Sequence, residues 1–281
     1  LIDRNGKEVE GFPQAHGITE EINGLRVIDY DNTKRYRFLI EAGRGKVYLL
    51  NKNIEPLEGW SPRNLDAVLP NSPEHARIAG KDFFWVAERS NRLLMLNRRG
   101  EYYPGFPFEK NFRFSGDTYL IRRPSFRESH FVALSHKGLL IEVNLLGELQ
   151  REEQLFRTNE STQFQLVNDR LGKGYLILRN EEDHTVFLNE DYEELFQMEE
   201  AIGAEVEVSF YRFKGGAETV MIWDKLEESV RLYNLRGQLI GQLTSSTFSP
   251  SLMYYRNQGV YQLFVNFGTE VNVYQFSSLP Q

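Results

Sequence analysis

Cysteine is absent from the 281 residues, which excludes disulfides and thiolate metal centres and leaves any zinc or iron site to histidine and carboxylate. Histidine is scarce as well. The five, His16, His75, His130, His136 and His184, fall at different positions of the repeat described below, so no two are expected to converge on a metal or a catalytic triad. No apolar run approaches the roughly 18 residues needed to cross a bilayer as a helix. The opening LIDRNGKEVEGFP lacks the layout of a signal peptide. Positive charge is in deficit, with 33 Lys and Arg against 40 Asp and Glu and a net charge of −7. That argues against nucleic acid as a partner, because such binding rests on neutralising phosphates.

What remains is ample for a buried core: 41% hydrophobic residues and 13% aromatic ones, with 26% charged. The dominant pattern is an internal repeat. Leu1-Ile2-Asp3-Arg4-Asn5-Gly6 followed by Gly11-Phe12-Pro13 returns as Leu49-Leu50-Asn51-Lys52-Asn53 with Gly59-Trp60-Ser61-Pro62, and as Met95-Leu96-Asn97-Arg98-Arg99-Gly100 with Gly105-Phe106-Pro107. Looser copies surround Asn144, Asn189 and Asn234. The shared Asp or Asn lies at 3, 51, 97, 144, 189 and 234, at intervals of 48, 46, 47, 45 and 45. Apolar residues, then Asn or Asp, then Gly, then a second extended run is the pattern of a β-hairpin, since Asn, Asp and Gly tolerate the positive φ that tight turns demand.

Each hairpin is preceded by two more strand-like runs, so each repeat holds four strands with no helix-period segment between them. Second strands such as Phe83-Phe84-Trp85-Val86 and Val220-Met221-Ile222-Trp223 are apolar on both faces, as strands sandwiched between neighbouring sheets must be. The expected fold is an all-β β-propeller: one domain over 1–281, with six four-stranded blades at about 23–64, 65–110, 111–156, 157–202, 203–247 and 248–281. The last repeat lacks a fourth strand, which residues 7–13 are expected to supply, closing the ring and removing an exposed edge. Because Leu1 to Asp3 matches a third strand, the alternative is seven or eight blades in a longer parent chain.

The hairpin phrase, together with Val27-Ile28-Asp29-Tyr30-Asp31-Asn32 and Tyr36-Arg37-Phe38-Leu39-Ile40, resembles blades of the FG-GAP and quinoprotein-like propeller superfamily, and in particular propeller regions of bacterial envelope proteins. The resemblance implies a periplasmic or cell-surface setting. In FG-GAP blades a D-x-D-x-D-G loop binds calcium. Asp29, Asp31 and Asn32 match its first half, but Thr33-Lys34-Arg35 replaces the rest, and two basic residues argue against a hard cation that needs six to eight oxygens. No cofactor is expected. Asp29 is instead expected to bond its own turn.

The sharpest local candidate is an anion site at the rim of the central channel. Arg122, Arg212 and, with a one-residue slip, Arg256 share a repeat position near the end of the first strand, and guanidinium groups pair well with carboxylate and phosphate. The competing expectation is that each pairs with a nearby acid. The aromatic after the repeated Gly (Phe12, Trp60, Phe106) is expected to pack between blades. With no catalytic constellation in view, the functional expectation is a monomeric, non-enzymatic binding or scaffold domain for protein or glycan, part of a larger bacterial envelope protein. The alternative is a hydrolase or lyase acting on carbohydrate at the channel mouth.

Overall fold

The structure, a computed structural model, describes residues 5–12, 15–30, 33–66, 69, 72–88, 91–115, 118–244 and 247–277. Among these residues there is no helix, and the strands form six sheets. Sheet one holds β1 (Ile22–Ile28), β2 (Arg37–Ala42), β3 (Lys46–Leu50) and β4 (Arg63–Asn64), and sheet two β5 (Glu74–Ile78), β6 (Lys81–Ala87), β7 (Arg92–Leu96) and β8 (Phe108–Glu109). Sheet three holds β9 (Tyr119–Ile121), β10 (His130–Leu134), β11 (Leu139–Asn144) and β12 (Leu149–Gln154), and sheet four β13 (Gln163–Asn168), β14 (Tyr175–Asn180), β15 (Thr185–Leu188) and β16 (Glu194–Met198). Sheet five comprises β17 (Val206–Arg212), β18 (Glu218–Asp224), β19 (Ser229–Asn234) and β20 (Leu239–Thr244). Sheet six has three strands, β21 (Ser251–Tyr255), β22 (Val260–Phe267) and β23 (Glu270–Ser277). In every sheet the spatial order follows the chain, as in a meander.

The chain divides into two units. The first is Leu1–Phe114, Leu120–Phe131 and Glu142–Arg151; the second is Ser115–Tyr119, Val132–Ile141 and Glu152–Gln281. In the first, Ile28, Leu39, Val47, Leu49 and Trp60 of sheet one pack on Phe84, Val86, Leu94 and Leu96 of sheet two. In the second, Val167, Leu176, Leu178 and Phe187 meet Val208, Phe210, Val220 and Ile222, and the far side of sheet five meets Leu252, Tyr261, Leu263 and Val265 of sheet six. The second strands β6, β10, β14 and β18 of the middle sheets are buried along most of their length, on both faces. Each fully buried large apolar side chain contributes about 1.5–3 kcal/mol.

The repeated asparagine is the hinge of the outer hairpin. Asn144 Oδ1 accepts the backbone N–H of Leu146 at 3.0 Å and of Glu148 at 2.9 Å, while its Nδ2 donates to Glu148 Oε2 at 2.8 Å. Asn51 repeats this with Glu55, Asn97 with Glu101, Asn189 with Glu193 and Asn234 with Gln238. The motif is therefore Asn-x-x-x-Glu or Gln, with the fourth residue clamping the asparagine amide. Asn144 is completely buried, so Asn144→Ala leaves two backbone donors short of an acceptor and should cost about 2 kcal/mol in urea unfolding. Asn144→Asp keeps the acceptor and should lose less than half as much. Equal losses would mean that the bond donated to Glu148, not the accepted ones, carries the turn.

The Gly-aromatic phrase joins one sheet to the next. Trp60 meets Phe84 edge to face at 4.9 Å and Phe106 meets Phe131 at 6.2 Å, and Phe12 stands in the same relation to Phe38 at 6.1 Å. Backbones approach so closely beside these rings that a Cβ on Gly105 would lie 2.0 Å from the carbonyl oxygen of Leu146, and one on Gly147 2.2 Å from that of Gly105. Residues 5–12 hold no strand longer than a single bridge. Pro13, the last residue of the expected closing strand, lies outside the described residues.

Candidate functional site

In the first unit a carboxylate is buried among basic groups. Asp82 is the second residue of β6, a strand that is otherwise apolar after Lys81. The hairpin between β5 and β6 turns on Ala79 and Gly80, both at positive φ (49° and 75°), so Arg77 and Asp82 face each other across the strands. His75, two residues before Arg77, points to the same side. Arg98 arrives from the Asn97 turn, pinned by the Trp60 indole, whose Nε1 donates to the Arg98 carbonyl at 2.8 Å. The result is a side chain 1% exposed that accepts from His75 Nε2 at 2.9 Å, Arg77 Nη1 at 3.1 Å and Arg98 Nη2 at 2.5 Å. Tyr103 Oη donates to the Asp82 carbonyl at 2.9 Å.

Tyr30 forms the other wall. Arg98 stacks on its ring at 4.3 Å and Arg37 lies over it at 5.7 Å, while Arg77 Nη1 donates to its carbonyl at 3.1 Å. Arg37 also donates to the carbonyls of Arg35 and Tyr36. Burial holds His75 below the ordinary histidine value; the bond to Asp82 opposes this, and the charges of Arg122 and Arg98 reinforce it. His75 is therefore neutral near pH 7. Its ring rests against Tyr30 and Phe84. Among the described residues neither Arg37 nor Arg122 forms an ion pair with a carboxylate.

In the second unit several basic groups are paired internally. Arg212 donates to Glu190 at 2.7 Å and to Glu218 at 2.5 Å. Buried Asp169 accepts the backbone N–H groups of Arg212, Leu171 and Lys173, tying the loop after β13 to the end of β17, and Arg170 pairs with Glu207 at 2.9 Å.

No protein-family model matches the chain, and no curated protein matches it. Solved structures do. Two crystal structures of BBS1N in complex with ARL6DN, one soaked with mercury and one with lead, are similar at 16% and 14% identity, covering 91% and 94% of this chain and 77% and 80% of theirs, with TM-scores of 0.53 and 0.55. BamB from Moraxella catarrhalis matches 86% of this chain and 66% of its own at 13% identity and a TM-score of 0.49. The fold is a β-propeller.

The propeller distributes the three arginines singled out in the sequence unevenly. Arg122 is exposed in the first unit, where its charge reaches His75. Arg212 is locked between two glutamates in the second, as the competing expectation has it, and Arg256 is exposed there beside Gly215. Asp29 caps its own turn, its two oxygens accepting from Thr33 N at 3.1 Å and Lys34 N at 2.8 Å. Asp31 and Asn32, the rest of the half motif, lie outside the described residues. The repeat gives no hint of the Asp82 cluster, because its members occupy non-equivalent repeat positions. One signal for it is present in the sequence: an aspartate opening the otherwise apolar run Phe83 to Ala87.

Proposed function

We propose that this propeller is a non-enzymatic scaffold whose first unit binds an acidic segment of a protein partner. The observation that supports this reading is the guanidinium group set around Asp82. Arg77 and Arg98 are held in place by a buried carboxylate and by the Tyr30 ring, yet their side chains remain 41% and 46% exposed. Arg37 and Arg122 add charge without a carboxylate partner among the described residues. Arginines whose geometry is already fixed lose little conformational freedom when a carboxylate docks, and the planar fork matches its two oxygens. A local basic patch on a chain of net charge −7 also runs against the general repulsion of anions, which favours a short acidic segment over an extended polyanion. The periplasmic or cell-surface setting implied by the envelope-protein resemblance belongs to the proposal and is tested by fractionating the compartments of the native host.

Calorimetric titration with a glutamate-rich peptide should give saturable binding that vanishes at high salt. Arg37→Ala, which leaves the bonds to Asp82 intact, should weaken it about tenfold, the loss expected for one charge-assisted contact. Saturable binding of a neutral oligosaccharide with none of the peptide would replace this reading with a glycan-binding one. Peptide binding insensitive to Arg37→Ala would remove the site from it.

A further inference from the structure

The loop that joins β9 to β10 in the first unit reads Arg122-Arg123-Pro124-Ser125-Phe126-Arg127-Glu128-Ser129. Arg122, Arg123 and Arg127 are exposed, as is Lys81 at the start of β6. Among the described residues none of these four cations forms an ion pair with a carboxylate. The acid within the loop, Glu128, is held by Ser125, whose Oγ donates to Glu128 Oε2 at 2.7 Å and accepts the Glu128 N–H at 3.2 Å. The corresponding loop of sheet four uses its cations differently. Arg170 pairs there with Glu207, and Lys173 Nζ donates to the Arg212 carbonyl at 2.8 Å.

The backbone that carries these arginines is fixed along its length. Ser129 is fully buried, and its Oγ accepts the Arg123 N–H at 2.9 Å and donates to the Arg123 carbonyl at 3.0 Å. The carbonyls of Phe126 and Ser129 both accept the Leu145 N–H, at 3.1 and 3.2 Å. The Phe126 ring packs edge to face on Phe83 and on Tyr103, each at 5.6 Å, and Lys81 Nζ lies 5.6 Å from its centroid.

These contacts also bring the loop to the border of the Asp82 cluster. Tyr103, against which Phe126 packs, donates to the Asp82 carbonyl, and the charge of Arg122 reaches His75. Two sets of cations thus adjoin: Arg37, Arg77 and Arg98 around Tyr30 and Asp82, and Lys81, Arg122, Arg123 and Arg127 around Phe126. Like the first set, the second is borne on backbone that has little freedom left to lose when a ligand docks.

Resting on the acidic-segment reading, we propose that the β9–β10 loop is the second half of the docking surface, and that the partner's acidic segment engages both sets of cations at once. Guanidinium groups free of a carboxylate partner are ready acceptors of one. Two contacts borne on one segment reinforce each other, because once the first has formed the second is made at the high effective concentration set by the link.

Calorimetric titration of the full chain with two peptides tests this. One carries a single glutamate cluster; the other carries two such clusters joined by Gly-Ser spacers of increasing length. At the best spacing the two-cluster peptide should bind wild type about a hundredfold more tightly than the single cluster. The double variant Arg123→Ala with Arg127→Ala removes two exposed side chains and leaves the Ser129 bonds, which go to backbone. It should melt as wild type does, still bind the single cluster at the Asp82 half, and lose most of the gain from the second cluster. Should it melt lower, Arg123→Gln with Arg127→Gln, which keeps side-chain length, takes its place. Equal affinity of wild type for the two peptides at every spacing overturns the two-part site and leaves the acidic-segment reading standing, as does a gain that survives in the double variant. Absence of saturable binding by either peptide overturns both.

Discussion

Gly105→Ala is expected to cost about 3 kcal/mol or more of folding free energy, a large effect for the addition of one methyl group. Two terms add. At φ +87° an alanine sits in the left-handed region, which costs roughly 1–2 kcal/mol for a residue with a Cβ. The new carbon would also lie 2.0 Å from the Leu146 carbonyl oxygen and 2.8 Å from its carbon, both backbone atoms that no rotamer change can move aside. The two sheets must separate locally to accept it, and forced overpacking of this kind costs about 1–3 kcal/mol. Gly172 supplies the control. It has φ +71°, and a Cβ placed there would meet nothing within 4 Å, so Gly172→Ala should show the conformational cost alone, about 1 kcal/mol. Urea midpoints for the two variants separate the terms. Equal losses would mean that the approach of Gly105 to Gly147 is soft and that the glycine is kept only for its turn.

This junction also shows what the sequence could reveal. Gly105 and Gly147 recur because the outer hairpins of neighbouring repeats touch backbone to backbone, and the spacing of the Asn and Gly positions exposes that regularity without any knowledge of the contact. The aromatic after the glycine was legible for the same reason. The partner of the repeated asparagine was not. Glu55, Glu101, Glu148, Glu193 and Gln238 stand four residues after it in the five copies that carry asparagine, but in a chain rich in acidic residues a glutamate reads as solvated surface until its bond to the asparagine amide is seen. The arginine site was legible only in part. Arg122 is marked by its repeat position, whereas Arg37, Arg77 and Arg98 reach Asp82 and Tyr30 from three different places in the repeat, and periodicity carries no trace of a cluster built from non-equivalent positions.

Asp82→Ala removes no apolar packing, yet its expected loss is about 3–5 kcal/mol, the range for deleting one member of a buried ion pair. The lower end applies, because Arg77 and Arg98 are partly exposed and recover water when the carboxylate is gone. Asp82→Asn preserves shape and one acceptor and should fall between. The same cluster gives the stability a pH dependence with a definite sign. Burial holds the folded-state value of His75 below that of an ordinary histidine. Between those two values the unfolded chain binds more protons than the folded one, so stability rises with pH across that window. It is fully present above about 6.5 and is lost progressively as the pH falls toward the folded-state value. His75→Gln removes this contribution while leaving the other titrating groups in place, so the difference between wild type and variant, measured by urea unfolding from about pH 8 down to about pH 5 (roughly the window in which an ordinary histidine changes charge), isolates it. Wild type should lose more stability than the variant over that interval. Parallel curves would show that His75 takes up its proton as readily in the folded protein as in the unfolded chain, and that Asp82, not burial, governs the ring.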